Sequence, residues 1–569
     1  MAEYLSPGVY VEEFDSGPAP MQGVGTSTAG FVGLAEKGPV SGAPVFVSSA
    51  SDFTRKFGGY LQQSEFGEYR YLAHAVSHFF ANGGARAFVM RVAPPDAAVA
   101  GLKCGDLSFQ AKNPGAWGNK IVVTLSPASK AKTQILADEG EGKYAFKNAA
   151  DFNVGDVVVL ENGSSQEYGV IAAVEGSNVT LEKPFESAQV VDQALLPKVT
   201  VRTCEMTVEV KCEDAVETYD NVSFNITTPN FIEKLMAKSE LVDVSAAHNT
   251  EAVAPIDLVR TAAGCDKETV KLQLSGGLNG TAAALTDGDF IGVDKGPGSR
   301  TGIQAFLDNS DVSLMAVPGI TAPNVQLSLV AHCENLGSRF AVLDMPKDAK
   351  SVSELMEHRN IVDSDYCAMY HPWLEVYDPL DKRNTFIPPS GSVLGIYARS
   401  DNTRGVHKAP ANETVAKCTG LSVTYNNAEQ DMLNPNGVNL IRRFPGQGIR
   451  VWGARTASSK PLWKYVNVRR LFIFLEESIK ANTNWVVFEP NDELLWIRVR
   501  RTIEVFLEGV WKSGALAGST AADAFFVNIG SATMTQDDID NGRLICVIGV
   551  APVKPAEFVI FRLTQKTGE

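Results

Sequence analysis

The first hundred residues alternate between short apolar runs and one apolar pattern of helical spacing. Thr28–Leu34 and Ala87–Val92 are short and rich in apolar residues, which is typical of buried strands. Between them, Tyr71–Ala81 repeats apolar residues at helical spacing and is followed by Asn82-Gly83-Gly84, which predicts a helix with its C-cap. A strand, a helix and a strand in this order predict an α/β layer over residues 26–100.

The character of the chain changes over residues 101–245. Short apolar stretches such as Ile121–Leu125, Val157–Leu160 and Tyr168–Val174 are separated by Asn-Gly, Gly-Asp and Gly-Ser-Asn turns. Hairpin turns between short strands are typical of small antiparallel barrels and sandwiches. The sequence therefore predicts an all-β domain, a barrel or a sandwich, inserted into the α/β domain.

The α/β pattern resumes over residues 246–440. Buried-strand patterns at Val312–Val317, Phe340–Leu343 and Cys367–Tyr370 are accompanied by the helical pattern Val325–Leu336. Strands that follow one another through single helices favour a mainly parallel, doubly wound sheet. Residues 26–100 and 246–440 are thus predicted to be two parts of one domain.

Residues 441–551 predict a separate α+β domain. Strand patterns occupy Phe525–Ile529 and Leu544–Val550, and a helix is predicted over Glu493–Trp511. The helix carries six apolar residues on one face: Leu495, Val499, Ile503, Phe506, Leu507 and Val510.

Both ends of the chain are predicted to be extended arms. Residues 1–25 hold the alternating stretch Val9-Tyr10-Val11 and then a run rich in proline and glycine. A strand without a hairpin partner either pairs on another chain or is a frayed terminus. Residues 552–569 contain Pro552 and Pro555 before an alternating stretch, which places that stretch at a sheet edge or on a detached arm.

Composition narrows the class of protein. A chain of 569 residues is long enough for several domains. The start lacks the basic and apolar regions of a signal peptide, and no apolar run is long enough to span a bilayer. The eight cysteines are scattered without a Cys-x-x-Cys pair, which favours reduced core residues and folding in a cytoplasm.

Charge is distributed unevenly along the chain. The formal net charge is −15, which argues against a general nucleic-acid binder. The segment Arg442–Lys512 is basic by contrast, with 13 Lys and Arg against 7 Asp and Glu. A basic segment in an acidic protein indicates either a solvated surface or a surface that faces an acidic partner.

Patterns that could bind a metal or a phosphate are incomplete. His74 and His78 are four residues apart, but no third ligand lies near them in sequence. The glycine-rich Leu274–Gly280 lacks the Lys-Ser/Thr of a phosphate loop. The acidic loop around Asp289 and Asp294 lacks the order of an EF-hand. These patterns predict a turn and solvated loops, with no cofactor and no metal.

One cluster could in principle carry catalysis. Asp363, Asp365, Cys367 and His371 lie close in sequence and could supply a nucleophile with a base. No nucleophile-elbow motif accompanies them, so a structural role is favoured and an α/β hydrolase stays the lesser alternative. The sequence predicts no catalytic residue.

Ordered motifs along the chain resemble those of contractile tail sheath proteins. The resemblance covers nearly the whole chain except about residues 130–200, where such sheaths vary widely. The matching runs are Tyr4-Leu-Ser-Pro-Gly-Val-Tyr-Val-Glu-Glu13, Pro114-Gly-Ala-Trp-Gly-Asn119, Thr301-Gly302, Val317-Pro-Gly319, His371-Pro-Trp373, Ile387-Pro-Pro-Ser-Gly391, Gly405-Val-His-Lys-Ala-Pro-Ala-Asn412, Val451-Trp-Gly-Ala-Arg-Thr456, Tyr465-Val-Asn-Val-Arg-Arg470, Phe488-Glu-Pro-Asn491 and Pro555-Ala-Glu-Phe558.

The resemblance implies a structural protein and not an enzyme. Its subunits would form stacked six-membered rings around an inner tube, and contraction would drive the tube through a target envelope. The α/β part would be the domain called subtilisin-like, which is a fold label and not an activity. A non-contractile shell or tail protein stays the alternative within the structural class.

The resemblance also implies site residues. Terminal arms would add strands to a sheet of neighbouring subunits, and basic residues of the inner domain would face the tube. The arm residues are Val9, Tyr10, Val11, Glu12, Phe558, Val559, Ile560 and Phe561, and the tube-facing candidates are Arg469, Arg470, Arg498 and Arg501.

The implied partners are other proteins of a contractile particle. They are further copies of this chain, the inner tube protein, the baseplate and a tail terminator or cap, with no direct nucleic-acid contact and only indirect contact with the envelope. Assembly would take place in the bacterial cytoplasm. A phage tail, a bacteriocin-like particle and a cell-made injection system all fit the resemblance.

Overall fold

The computed structural model describes residues 21–162, 165–186, 199–246, 251–558 and 560. Over these residues the chain forms 27 strands, most of them short. In chain order they are β1 Ala29–Leu34, β2 Val45–Val47, β3 Ala87–Val92, β4 Gly101–Cys104, β5 Leu107–Ala111, β6 Ile121–Ala128, β7 Lys132–Gly140, β8 Lys143–Phe146, β9 Val157–Asn162, β10 Ser165–Glu175, β11 Asn178–Leu181, β12 Thr200–Thr203, β13 Glu205–Cys212, β14 Ala215–Val222, β15 Val242–Ala246, β16 Val270–Gln273, β17 Leu314–Ala316, β18 Phe340–Asp344, β19 Cys367–His371, β20 Leu374–Asp378, β21 Arg383–Ile387, β22 Glu413–Thr414, β23 Gly420–Leu421, β24 Val438–Phe444, β25 Gly448–Val451, β26 Phe525–Ile529 and β27 Cys546–Val550.

The α-helices within the same described residues range from single turns to twenty residues. They are α1 Ala50–Phe57, α2 Gln63–Phe66, α3 Leu72–Ala81, α4 Ile232–Met236, α5 Pro255–Ala263, α6 Asp287–Ile291, α7 Pro323–Leu336, α8 Val352–Arg359, α9 Ser390–Arg404, α10 Asn427–Leu433, α11 Val466–Asn482, α12 Glu493–Lys512, α13 Ala521–Ala524 and α14 Gln536–Asp540.

A nine-stranded sheet forms the centre of the molecule. Its order is β2-β3-β1-β17-β18-β19-β24-β25-β22, and the six strands from β3 to β24 are parallel. Successive side chains of β1 point to opposite faces, so Phe31 enters one core and Val32 the other. Helices α3 and α9 supply the first core, and α7, α8 and α10 supply the second. The mixed α/β prediction is confirmed.

Residues 101–273 form the β-rich part. Two open sheets, β14-β13-β6-β16 and β15-β5-β4, share one core with α4 and α5. The other strands close into a six-stranded barrel in the order β10-β11-β8-β7-β12-β9. The structure thus contains a barrel, one of the two predicted forms. Strand β16 and helix α5, which follow residue 245, also pack in this part.

The chain enters and exits the barrel at neighbouring positions, Ala131 and Thr203. Thr203 N donates to Ala131 O at 2.9 Å, and Ala131 N donates to Thr203 Oγ1 at 3.1 Å. Its interior has a core of its own, including Ile135, Tyr144 and Phe146. Adjacent ends and a separate core are typical of an inserted unit.

Excision of the barrel tests this organisation. Replacing residues 132–202 by two glycines should leave the rest of the chain folded, because Ala131 and Thr203 already lie side by side. The free energy of unfolding should fall by roughly 3 kcal/mol, since Val157, Val159 and Val170 also pack into the core of the open sheets. Urea unfolding followed by circular dichroism measures this change. An aggregated or non-cooperative product would contradict the prediction.

Candidate functional site

Helix α12 is built as predicted around one apolar face. Its buried residues are the six expected ones: Leu495, Val499, Ile503, Phe506, Leu507 and Val510. Asp492 caps the helix, since its carboxylate accepts a hydrogen bond from Leu495 N at 2.8 Å. The apolar face packs with Leu471 and Leu475 of α11 and with β26.

The opposite face of α12 combines basic and apolar side chains. Leu494, Ile497 and Val505 are 72%, 53% and 54% exposed, and Arg498 and Arg501 lie among them at helical spacing. The Arg498 guanidinium lies 4.8 Å from the centre of the Trp485 ring. An exposed face of this composition is suited to a protein partner that offers both acidic and apolar groups.

Arg469 does not face outwards. Its side chain is 6% exposed and is paired with Asp365 at 3.3 Å and Glu476 at 3.0 Å. The guanidinium also lies over the rings of Tyr366 and Trp463. A charge buried this deeply needs partners inside the subunit, so the expectation that Arg469 faces a tube is wrong.

Arg470 is also an internal residue. Its side chain is 3% exposed, and its NH2 group lies 2.5 Å from the Asp401 carboxylate, which is 3% exposed itself. Arg470 also donates to Thr26 O at 2.9 Å, and Thr26 Oγ1 donates to Asp401 at 2.6 Å. We call Thr26, Asp401 and Arg470 the N-terminal clamp. The expectation that Arg470 faces a tube is wrong for the same reason as for Arg469.

A second clamp lies where the C-terminal arm begins. Glu557 accepts hydrogen bonds from Arg455 Nε at 2.9 Å, from Arg455 NH2 at 2.6 Å and from the Tyr465 hydroxyl at 3.1 Å. We call Arg455, Tyr465 and Glu557 the C-terminal clamp. Sequence reasoning placed all three in motifs but did not pair them, because Arg455 and Glu557 are 102 positions apart.

Strands β26 and β27 form a two-stranded antiparallel sheet on α12. Within the described part of the chain, no other strand pairs with either of them, so each has an open edge. Phe526 and Val547 are 52% and 45% exposed on this sheet. Two strands alone are marginally stable in water, and open apolar edges favour the addition of further strands.

The predicted arm residues fall largely outside the described residues. This applies to Val9, Tyr10, Val11, Glu12, Val559 and Phe561. Phe558 and Ile560 are described and are 77% and 79% exposed. Their strand-adding role stays a prediction.

The residues of the hydrolase alternative do not form an active site. Cys367 and His371 are buried at opposite ends of β19, and His371 Nε2 lies 3.0 Å from the Tyr425 hydroxyl. Burial raises the pKa of the Cys367 thiol, which disfavours the reactive thiolate. Asp363 accepts from Ser459, and Asp365 is paired with Arg469. Each candidate therefore has a structural partner.

The remaining candidates also have structural roles. His78 Nδ1 lies 3.1 Å from the Ser392 hydroxyl, and His74 lies 3.5 Å from Asp378. Asp289 completes a capping box on α6, and Asp294 is paired with Arg300. Within the described residues, no group of three or more His, Cys, Asp or Glu side chains could hold a metal, and no helix is long and apolar enough to cross a membrane.

Two family models match the C-terminal half of the chain. The phage tail sheath protein central domain matches residues 295–457, and the phage tail sheath C-terminal domain matches residues 458–566. Residues 295–566 thus form the central and C-terminal domains of a phage tail sheath protein. The C-terminal match contains α12, the open two-stranded sheet and Glu557 of the C-terminal clamp.

Individual sheath proteins match parts of the chain. The tail sheath protein of Escherichia phage P2 is 27% identical over 222 residues, which are 37% of this chain and 55% of that protein. The tail sheath protein of Salmonella phage ViI is 26% identical over 211 residues, 33% of each chain. The chain thus spans about half or less of the length of these curated relatives.

The fold is similar to that of a solved sheath. The sheath complex of PVC, an extracellular contractile injection system, in its contracted state has a TM-score of 0.52 at 22% identity, and the match covers 100% of this chain and 99% of that one. The matched family consists of structural proteins, in agreement with the prediction that this sheath protein is not an enzyme.

The buried histidines predict acid sensitivity of the sheath subunit. Burial lowers the pKa of four of them from 6.5 to about 4: His74, His78, His332 and His371. Between these values the unfolded chain binds protons that the folded chain does not, so the free energy of unfolding should fall as the pH is lowered. We expect a loss of about 1 kcal/mol per histidine at pH 5.5 relative to pH 7.5, measured by urea unfolding.

A variant isolates the contribution of one ring. His78→Asn keeps a polar group near the Ser392 hydroxyl and removes one titrating imidazole. It should reduce the difference in stability between the two pH values. Burial raises the pKa of Asp344 to about 6, which acts in the opposite direction and reduces the total effect. Equal stability of the wild-type chain at pH 7.5 and pH 5.5 would contradict the prediction.

Proposed function

We propose that this chain is the sheath subunit of a contractile particle. It polymerises as stacked hexameric rings around an inner tube, and the sheath contracts to drive that tube through a target envelope. The match to the two tail sheath family models supports the structural role. The ring geometry and the contraction are proposed here. We also propose that the α/β domain has the doubly wound, subtilisin-like fold.

The open two-stranded sheet is the observation that carries the proposal. Among the described residues no further strand pairs with β26 or β27, and exposed Phe526 and Val547 give the sheet an apolar surface. Residues 552–557, which begin the C-terminal arm, contact the same domain through Val553 N, which donates to Ala515 O at 3.2 Å. A sheet that is incomplete in one subunit can be completed by the arms of neighbours.

Strand addition suits a lattice that changes shape. Main-chain hydrogen bonds between an exchanged arm and its receiving sheet move with that sheet as a rigid body. The subunits can then rotate relative to one another while the arms keep them joined. If the extended lattice is a kinetic trap, contraction needs no nucleotide, and each subunit need gain only a few kcal/mol for a long sheath to do large work.

The mixed face of α12 is the proposed tube contact. Arg498 and Arg501 remain exposed after Arg469 and Arg470 are assigned to the interior. Leu494, Ile497 and Val505 lie on the same face and supply apolar area. We propose that the inner tube presents an acidic surface with apolar patches to this helix.

The further partners follow from this role. The sheath ends contact the baseplate and a tail terminator or cap protein, and the particle is assembled in the bacterial cytoplasm. The net charge of −15 disfavours direct contact with nucleic acid.

Deletion of residues 1–20 tests strand addition. The truncated chain should fold, because the body of the domain begins with β1 at Ala29, but it should remain unpolymerised. The full chain should form long tubes under the same conditions, as seen by electron microscopy. A truncated chain that still polymerises would contradict the arm role, and a full chain that stays monomeric would contradict the sheath role.

Charge reversal on α12 tests the tube contact. Arg498→Glu with Arg501→Glu should weaken binding to assembled inner tubes by about tenfold, because repulsion from an acidic partner replaces attraction. The fold should be unchanged, since both side chains are exposed. Co-sedimentation of the sheath subunit with tubes measures the binding.

A matched control separates the tube contact from net charge. Arg55→Glu with Arg383→Glu makes the same change of charge at two exposed positions outside the C-terminal domain, where the side chains are 63% and 61% exposed. The control should bind tubes like the wild type. If the α12 variant binds tubes as well as the wild type does, Arg498 and Arg501 are solvated residues that do not contact the tube.

A further inference from the structure

The C-terminal end of helix α11 contacts residues 22–24, which we call, together with residues 25 and 26, the base of the N-terminal arm. Ser478 Oγ accepts a hydrogen bond from Val24 N at 3.1 Å. Asn482 accepts from Gln22 N at 3.3 Å and donates to Gln22 O at 2.9 Å. Main-chain groups of the arm base are thus held by side chains of the helix.

The N-terminal clamp attaches the same segment to the second turn of α11. Arg470 of the helix donates to Thr26 O, and Asp401 of α9 binds both Arg470 and Thr26. The Arg470 guanidinium also lies 4.9 Å from the centre of the Tyr397 ring. Because both charges of this ion pair are buried, water does not screen their attraction as it does on a surface.

The base of the C-terminal arm is held at the other end of α11. Asn467, in the first turn of the helix, donates from Nδ2 to Val553 O at 3.3 Å. Tyr465, the N-cap residue, donates its hydroxyl proton to Glu557, which is also bound by Arg455. Gln22 and Val24 thus lie at the C-terminal end of this 17-residue helix, about 25 Å long, and the base of the C-terminal arm lies at its N-terminal end. Both clamps bind the helix within its first two turns or at its N-cap.

We infer that α11 is a strut that carries tension between the two arms of each subunit. The N-terminal arm is attached by Ser478 and Asn482 at the C-terminal end of the helix and by the N-terminal clamp in its second turn. The C-terminal arm is attached by the C-terminal clamp at the N-cap. This inference rests on the proposed strand exchange. A pull from one neighbour enters at residues 22–26 and leaves towards another neighbour at residues 553–557. Without the clamps the pull would peel each arm base off the body, one hydrogen bond at a time.

The position of the clamps explains their chemistry. A rigid helix transmits a pull along its axis because its backbone hydrogen bonds run in that direction. Ion pairs that are buried or partly buried hold their geometry against such a pull better than solvated pairs, which exchange readily with water and salt. The clamps thus mark the two boundaries between the folded body of the subunit and its terminal arms.

Hydrogen exchange of the full-length subunit tests the attachment points. Asp401→Asn should accelerate amide exchange over residues 21–28 by about tenfold without affecting residues 551–557, and Glu557→Gln should do the reverse. The control Glu161→Gln removes a carboxylate that is paired with Lys132 and Arg202 in the barrel, and it should change neither segment. Unchanged exchange in both clamp variants would overturn the inference.

A milder variant covers the case in which Asp401→Asn fails to fold, since it leaves Arg470 without its buried partner. Asn482→Ala removes both hydrogen bonds to Gln22 from a partly exposed position at the end of α11. It should accelerate exchange over residues 21–28 in the same direction. A wild-type exchange rate in this variant, together with a folded core, would overturn the attachment at that end.

Contraction of sheaths assembled from the same variants tests whether α11 carries tension. Sheaths of either clamp variant should break or shorten incompletely when contraction is triggered by mild denaturant, while the Glu161→Gln sheaths contract like the wild type. The double clamp variant should be no worse than the worse single one, because links in series fail at the weakest point. Additive defects, or normal contraction with accelerated exchange, would overturn the strut.

The two levels of the hypothesis fail in different ways. If the unchanged chain forms no tubes, the proposed function is wrong, and the tension-bearing role of α11 is overturned with it. If the unchanged chain forms tubes that contract and the clamp variants behave like the control, only the strut is overturned.

Discussion

The buried ion pair between Arg470 and Asp401 joins three distant parts of the chain. Asp401 lies on α9, which covers the central sheet, Arg470 lies on α11, and Thr26 precedes the first strand. Such a pair adds little net stability, because desolvation offsets its attraction, but loss of one partner leaves a buried charge and is strongly destabilising. The pair therefore fixes how the N-terminal arm, the central domain and the C-terminal domain meet.

This pairing changes the meaning of the basic segment Arg442–Lys512. By sequence it carries 13 basic residues against 7 acidic ones. Three of the basic residues, Arg455, Arg469 and Arg470, are paired with Glu557, Asp365 and Asp401, which all lie outside the segment. The excess available to a partner is thus about half of what the count indicates. A local charge count measures a surface only where the charges are exposed, and three of these are not.

The sequence predicted what depends on local periodicity. Five strands of the central sheet (β1, β3, β17, β18 and β19), α3 and the buried face of α12 lie close to their predicted bounds, because apolar spacing reports which face meets a core. Strands β24 and β25 also join that sheet, although residues from 441 onwards were predicted to belong to a separate domain. The clamps could not be predicted, since their partners are 69 and 102 positions apart and pair only after the chain has folded. Closure of the barrel depends on the pairing of β9 with β12, which hairpin turns alone do not specify.

The open sheet of β26 and β27 connects the fold of one subunit to the proposed lattice. An exposed edge with apolar side chains such as Phe526 is a liability for a protein that acts alone, because any strand can add to it. In the proposed polymer the same edge would be useful, since the arm proposed to complete the sheet would come from an identical chain at high local concentration. A marginal two-stranded sheet then gains its full stability only on assembly, so the folding of this domain and the growth of the sheath stabilise each other.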